Sequence, residues 1–92
     1  MKEEKTALIT GGAKRLGRSI SKELASAGYN VIIHFNRSEN DALNLREELL
    51  EFGVDVFLLQ ADLLNDNETL SLFDKCKELI KRPVNLLINN AS

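Results

Sequence analysis

The chain has 92 residues, of which 43% are hydrophobic, 28% charged and 5% aromatic, a profile that fits one soluble globular domain, or part of one, and excludes two independent domains. With 12 Lys and Arg against 14 Asp and Glu the formal net charge is −2, too close to neutral for a general field that would hold nucleic acid or an anionic membrane. The single cysteine, Cys76, cannot close an intrachain disulfide, which fits a reducing cytoplasm, and no apolar run approaches the ~20 residues that span a bilayer.

Met1-Lys2-Glu3-Glu4-Lys5 is charged and runs straight into an apolar segment, without the h-region or small-residue cleavage site of a secretory signal. Thr6–Thr10 is a short apolar run closed by Gly11-Gly12 and predicts a buried strand. From Arg15 to Ala27 the apolar residues Leu16, Ile20, Leu24 and Ala27 recur at helical spacing, and Gly28 stops the helix. Asn30–Phe35, around Val31-Ile32-Ile33, predicts a second strand. Ser38-Glu39-Asn40-Asp41 has the form of a helix start; Ala42, Leu45, Leu49 and Phe52 follow on one face, and Gly53 ends it. Asp55–Gln60 predicts a third strand. Asn65 to Glu68 has the form of a capping box for a third helix lined by Leu72, Phe73, Cys76 and Ile80, which Arg82-Pro83 breaks. Val84–Ile88 predicts a fourth strand. This β-α-β-α-β-α-β order with short connections predicts an α/β fold, the first portion of a Rossmann-type doubly wound parallel sheet, with strands in the order 3-2-1 and the fourth beyond the first. No linker divides residues 1–92.

Thr10-Gly11-Gly12-Ala13-Lys14-Arg15-Leu16-Gly17 joins a buried strand to a helix, the setting of a dinucleotide-binding loop. Gly11 and Gly12 allow a tight turn and a close backbone approach to a pyrophosphate, and Gly17 removes a Cβ where the helix packs on the strand. The free N–H groups of the first helical turn and the helix dipole favour a phosphate. Two other readings share these residues: an ordinary strand–helix turn, and a P-loop spacing from Gly12 to Ser19 in which Arg18 stands where lysine is required. About 20 residues past the loop an NAD site carries an acid for the ribose 2′-hydroxyl. This chain has His34-Phe35-Asn36-Arg37-Ser38 there instead. Arg37 can pair with a 2′-phosphate, Ser38 can donate its hydroxyl and backbone N–H, and Lys14 can approach from the loop, which points to NADP(H). Ser38 also reads as a helix N-cap, and one hydroxyl can serve both purposes. His34 reads as a packed residue holding a hydrogen bond more readily than as a general base, because no neighbour in sequence completes a relay. Cys76 reads as a small buried hydrophobe, and no cluster has metal-ligand spacing.

Three segments then coincide. Thr10-Gly11-x-x-x-Arg15-x-Gly17, Ala61-Asp62-Leu63 after the third strand and Asn89-Asn90-Ala91-Ser92 after the fourth resemble the short-chain dehydrogenase/reductases. That family's usual loop is Thr-Gly-x-x-x-Gly-x-Gly, and its usual fourth-strand motif is Asn-Asn-Ala-Gly. Arg15 for the middle glycine, Ser92 for the last, and His34-x-x-Arg37-Ser38 are shared with the pteridine reductase branch and the related dihydromonapterin and dihydrofolate-type reductases. The resemblance implies that the Gly11–Gly17 loop holds the pyrophosphate, with Lys14, Leu16, His34 and Asn36 among the cofactor contacts beside Arg37 and Ser38. It implies that Arg15 faces the phosphates and a pterin substrate, and that Asp62 accepts from the adenine amino group beside Leu63. It implies that Asn90 and Ala91 line the ribose wall, and that Ser92 touches the nicotinamide end and the substrate. Asn89 is expected to tie the fourth strand to its neighbour. Asp62 as a loop residue and Asn89-Asn90 as a simple turn remain the plainer alternatives.

Members of that family also carry, further along, a Tyr-x-x-x-Lys pair that delivers the proton. The only tyrosine here, Tyr29, has Ile33 four residues on, so no catalytic residue is expected in this chain. It resembles the N-terminal, dinucleotide-binding part of a single Rossmann domain, truncated before the catalytic half. Three functions follow: an NADPH-dependent oxidoreductase that acts on a pterin when full length, for which the resemblance also implies a homotetramer; an inactive dinucleotide-binding module; or another branch, such as a 3-oxoacyl carrier-protein reductase. A small-molecule substrate is expected, and neither nucleic acid nor a membrane.

Overall fold

Four short apolar segments form β1 (Thr6–Thr10), β2 (Asn30–Phe35), β3 (Val56–Gln60) and β4 (Leu86–Asn89). All neighbouring pairs are parallel, in the order β3-β2-β1-β4. The crossovers are the helices α1 (Arg15–Ser26), α2 (Glu39–Leu50) and α3 (Asp66–Ile80). The structure is a computed structural model and describes residues 4–63 and 66–90, the side chains of 66–70 excepted. The capping-box reading at Asn65–Glu68 therefore falls outside the described residues.

Every residue of β1 and β2 is buried, as in strands covered on both faces. Alternation sorts their side chains. Ala7, Ile9, Val31 and Ile33 pack with Ala25 of α1 and with Leu45 and Leu49 of α2. Leu8 and Ile32 point the other way, onto Leu72, Cys76 and Ile80 of α3. Two helices on one face and one on the other make the expected doubly wound layer, and each fully buried Leu or Ile contributes ~1.5–3 kcal/mol. Burial pushes the Cys76 thiol up to about 11, in keeping with a packed apolar role.

Four details differ from the sequence expectation, each for a local reason. The buried stripe of α1 is Gly17, Ser21 and Ala25, while Leu16 is 64% exposed. Small residues let the helix sit close, and the Ser21 hydroxyl donates to the Gly17 and Gly12 carbonyls at 2.8 and 3.3 Å. Phe52 lies beyond the end of α2 and is exposed; Val54 packs against the core in its place. The strand β4 begins at Leu86 because the Asn85 side chain, not the backbone ladder, takes the Thr6 N–H at 2.9 Å. In the same way Asn30 Oδ1 accepts the Asp55 N–H at 2.9 Å, and β3 begins one residue later than expected. Among the described residues no helix is long and apolar enough to cross a membrane.

Candidate functional site

At the end of β1 the chain turns through Gly11, whose φ of 61° is a left-handed value that costs glycine nothing. Both polar groups of Gly11 are held by side chains from β2 and from just past β4. Its N–H donates to His34 Nδ1 at 3.0 Å, and its carbonyl accepts Asn90 Nδ2 at 3.1 Å. The next amide, Gly12 N–H, donates to the His34 carbonyl at 3.0 Å. Gly17 is required by space: a Cβ there would stand 2.1 Å from the Gly11 carbonyl oxygen and 2.7 Å from Asn90 Nδ2. The close approach is thus to the loop and to the end of β4, not to the body of a strand as expected.

The helix that follows starts bare. Lys14 is the N-cap of α1 but makes no side-chain cap, and the first turn holds no acid. By contrast α2 carries Glu39 and Asp41 in its first turn. The leading N–H groups of α1 therefore keep their hydrogen-bonding capacity and positive dipole end for an anion. Arg15 is left-handed, with φ 52°, at the position where the resembling family usually has glycine.

The four strand ends open on a crevice of about 770 Å³. It lies where the strand order reverses between β1 and β4, the switch point at which open α/β sheets bind ligands. From the loop it gathers Gly11, Lys14, Arg15 and Leu16; from the end of β2, His34, and past it Asn36, Arg37 and Ser38; past β3, Asp62 and Leu63; past β4, Asn90. The candidates from these four separate stretches thus share one cavity. Gly17 stands behind the wall, and Ala91 and Ser92 fall outside the described residues. Ala13 and Phe35 also line it and carry no sequence signal beyond their place beside the loop and at a strand end.

Within the crevice the cations are unequal. Lys14 Nζ lies 4.0 Å from Asp41 Oδ2. Arg37 is exposed and has no ion-pair partner among the described residues. Ser38 occupies the N-cap position of α2 with its carbonyl accepting Ala42 N–H at 2.9 Å, but its hydroxyl makes no cap bond, so the side-chain cap expected of it is not formed. On the neighbouring wall Gln60 Nε2 donates to the Asn36 carbonyl at 2.8 Å. Asn89 Oδ1 accepts the Thr10 hydroxyl at 3.2 Å, tying β4 to β1 as expected, and that hydroxyl accepts Asn90 N–H at 2.9 Å.

His34 is 3% exposed and bonded at both ring nitrogens, with Nε2 2.8 Å from the Ala61 carbonyl. Burial lowers its pKa below the ordinary imidazole value, and the bond to Ala61 offsets part of that. The sequence expectation of a packed, hydrogen-bonded histidine holds, but it missed that the ring and its own carbonyl anchor the glycine loop. The only signal was a polar residue inside a wholly buried strand. A dinucleotide fits this donor set: a helix end without cap or acid, a glycine cradle that a Cβ would fill, and a guanidinium without an ion-pair partner among the described residues, followed by a serine hydroxyl that makes no cap bond.

The family description "short chain dehydrogenase" matches residues 5–92. The oxidoreductase YmfI of Bacillus subtilis, itself uncharacterized, is 41% identical over 88 residues, 95% of this chain and 35% of YmfI. The 3-oxoacyl-acyl-carrier-protein reductase FabG of Staphylococcus aureus is 37% identical over 99% of this chain and 37% of its own length. The structure of FolM alternative dihydrofolate reductase 1 from Brucella canis, complexed with NADP, superposes with a TM-score of 0.83 at 38% identity, over 96% of this chain and 35% of that one. The chain thus spans little more than a third of the length of each.

Proposed function

The chain belongs to the short chain dehydrogenase family, a family of oxidoreductases, and we propose that it is the cofactor-binding part of an NADPH-dependent reductase acting on a pteridine. In this reading residues 1–92 are one part of a single Rossmann-type domain. The observation that carries it is a pair of anion seats in one crevice. One is the bare N-terminus of α1 behind the glycine loop. The other is Arg37, without an ion-pair partner among the described residues, next to the uncommitted Ser38 hydroxyl. A pyrophosphate and a ribose 2′-phosphate are the two anions that NADPH offers, and NADH offers only the first.

The residues then divide the work. The loop from Gly11 to Gly17 holds the pyrophosphate on backbone N–H groups. Arg37 and Ser38, with Lys14, take the 2′-phosphate beside Asn36. Asp62 and Leu63 hold the adenine, Asn90 and Ala91 the ribose wall, and Ser92 the nicotinamide end. Arg15 reaches from its left-handed position toward phosphate and pterin. Bound NADPH supplies a hydride; none of the residues named here donates the proton. FolM, at 38% identity with NADP bound, supports both the cofactor and the pterin-type substrate. The 37% identity to FabG favours a second reading, a 3-oxoacyl thioester. The test is NADPH oxidation by the full-length protein with a dihydropteridine or dihydrofolate against a 3-oxoacyl thioester. Turnover of the thioester alone would replace the pterin reading.

A further inference from the structure

We propose that His34 is the positioning residue that fixes the phosphate loop against the adenine wall of the crevice; this rests on the dinucleotide reading above. The strand ladders alone do not do so. The last β1–β2 partners are Ile9 and Ile33, and the β2–β3 register ends at Phe35 and Gln60. Gly11 and Gly12 lie past the first of these ends; Ala61 lies past the second, where its N–H still donates to the Phe35 carbonyl at 3.0 Å, but among the described residues no backbone bond ties the loop to Ala61 itself. His34 bridges the gap. Its carbonyl accepts Gly12 N–H at 3.0 Å, its Nδ1 accepts Gly11 N–H at 3.0 Å, and its Nε2 meets the Ala61 carbonyl at 2.8 Å.

These partners dictate the tautomer. An atom that accepts from an amide carries no proton, so Nδ1 is bare and Nε2–H is the donor to Ala61. With Asn90 on the Gly11 carbonyl, the loop peptide is held from both sides. Releasing the His34 side lets the loop leave the position at which its N–H groups meet a pyrophosphate, and preorganised donors lose most of their advantage when they must be reordered on binding. A proton on Nδ1 would set two N–H groups against each other and do the same. The charged groups that share the crevice with the ring are Lys14 and Arg15 on the loop, Arg37 past β2 and Asp62 past β3. From α3, Cys76 lies in the apolar cluster on the ring's face of the sheet, as a neutral thiol. Burial further disfavours the charged ring.

The test uses the full-length protein and NADP+ binding by calorimetry, with thermal melts alongside. H34F removes both ring bonds and is expected to weaken binding about tenfold, the scale of one lost hydrogen bond. H34N keeps an acceptor near the place of Nδ1 and is expected to restore most of it; H34Q keeps only the reach to Ala61 and is not. Between pH 8 and 5 the affinity of the unsubstituted protein should fall more steeply than that of H34N. The cofactor and every other side chain are common to both proteins, so the difference belongs to the imidazole. Nitrogen NMR of the ring should show the Nε2–H tautomer at pH 7. Undiminished binding by H34F, equal binding by H34N and H34Q, matching pH profiles, or the Nδ1–H tautomer overturns the inference alone. Binding lost only in step with the melting temperature overturns it too. Absence of NADP+ binding by the unsubstituted protein overturns the dinucleotide reading and the inference with it.

Discussion

An acid and an arginine at the end of β2 would have opposite effects on a ribose 2′-phosphate: one repels it, the other forms charge-assisted bonds to it. Arg37→Asp is therefore expected to weaken NADPH binding by ~10- to 150-fold, the equivalent of the ~1.5–3 kcal/mol of hydrogen bonds to charged groups. NADH binding should be nearly unchanged. Titrations of both cofactors with both proteins check this, and equal losses for the two would count against the assignment. Arg15 carries a different kind of signature. Its φ of 52° costs an L-residue ~1–2 kcal/mol that glycine avoids, less the extra chain entropy glycine loses on folding. Arg15→Gly should thus raise the melting midpoint while removing the guanidinium from the crevice. A lower midpoint would show that arginine makes a stabilising contact large enough to outweigh the strain. His34 gives a pH dependence with a definite sign. Its folded pKa lies below the ordinary 6.5. Above about pH 6.5 the ring is neutral folded and unfolded, so it adds no slope. As pH falls below 6.5 the unfolded chain takes a proton that the folded one refuses, and stability drops toward the depressed folded value. Denaturant midpoints measured from pH 8 to 5 should show this fall, and H34N should flatten it.

Elements explain what could and could not be read in advance. The loop and α1 meet at Gly17, where the obstacle to a side chain is a backbone carbonyl 2.1 Å from the ideal Cβ; a carbonyl cannot rotate aside as a side-chain end can. Gly17→Ala should cost ~1–3 kcal/mol in overpacking and displace Gly11, so cofactor affinity should fall more than stability does. Leu45→Ala, in the α2 core away from the crevice, should cost ~2–5 kcal/mol and leave the preference for NADPH over NADH intact. Affinity and melting data on the two variants separate loop geometry from general stability. Strands β1 and β2 and the α2 stripe of Ala42, Leu45 and Leu49 were legible because their pattern follows burial directly. The α1 stripe was not, because periodicity counted Leu16 while close packing selected Gly17, Ser21 and Ala25. The starts of β3 and β4 were obscured because the side chains of Asn30 and Asn85 substitute for ladder bonds. Crevice membership was legible from glycine spacing for the loop and from the place past β2 for Arg37 and Ser38, and only from the family resemblance for Asp62, Leu63 and Asn90. The bonding of His34 was not, since its ring partners lie 23 and 27 residues away and only the sheet order brings them together.

At the scale of the whole sheet, the described residues present two edges, β3 and β4. Among the described residues β4 pairs only with β1, which leaves its other side with backbone N–H and C=O groups open to another strand. The edge strand also carries an exposed apolar side chain. Leu87 stands in register with Leu8, on the α3 face of the sheet, and is 42% exposed. An apolar strand with an open edge and an exposed leucine of its own is a template for a second chain. A polypeptide of these 92 residues, purified by itself, is therefore expected to self-associate through β4 or to be poorly soluble. It is also expected to show no pterin-dependent NADPH oxidation. Hydride transfer must be matched by a positioned proton donor, and the only tyrosine, Tyr29, precedes β2 and does not line the crevice. Light scattering across a concentration series tests the first expectation. Association should rise with concentration and weaken when Leu87→Lys places a charge on the edge strand, one of the devices by which natural sheets blunt their edges. A monodisperse monomer with a cooperative melt would mean that the four-stranded layer closes its own surface, and the edge argument would be wrong.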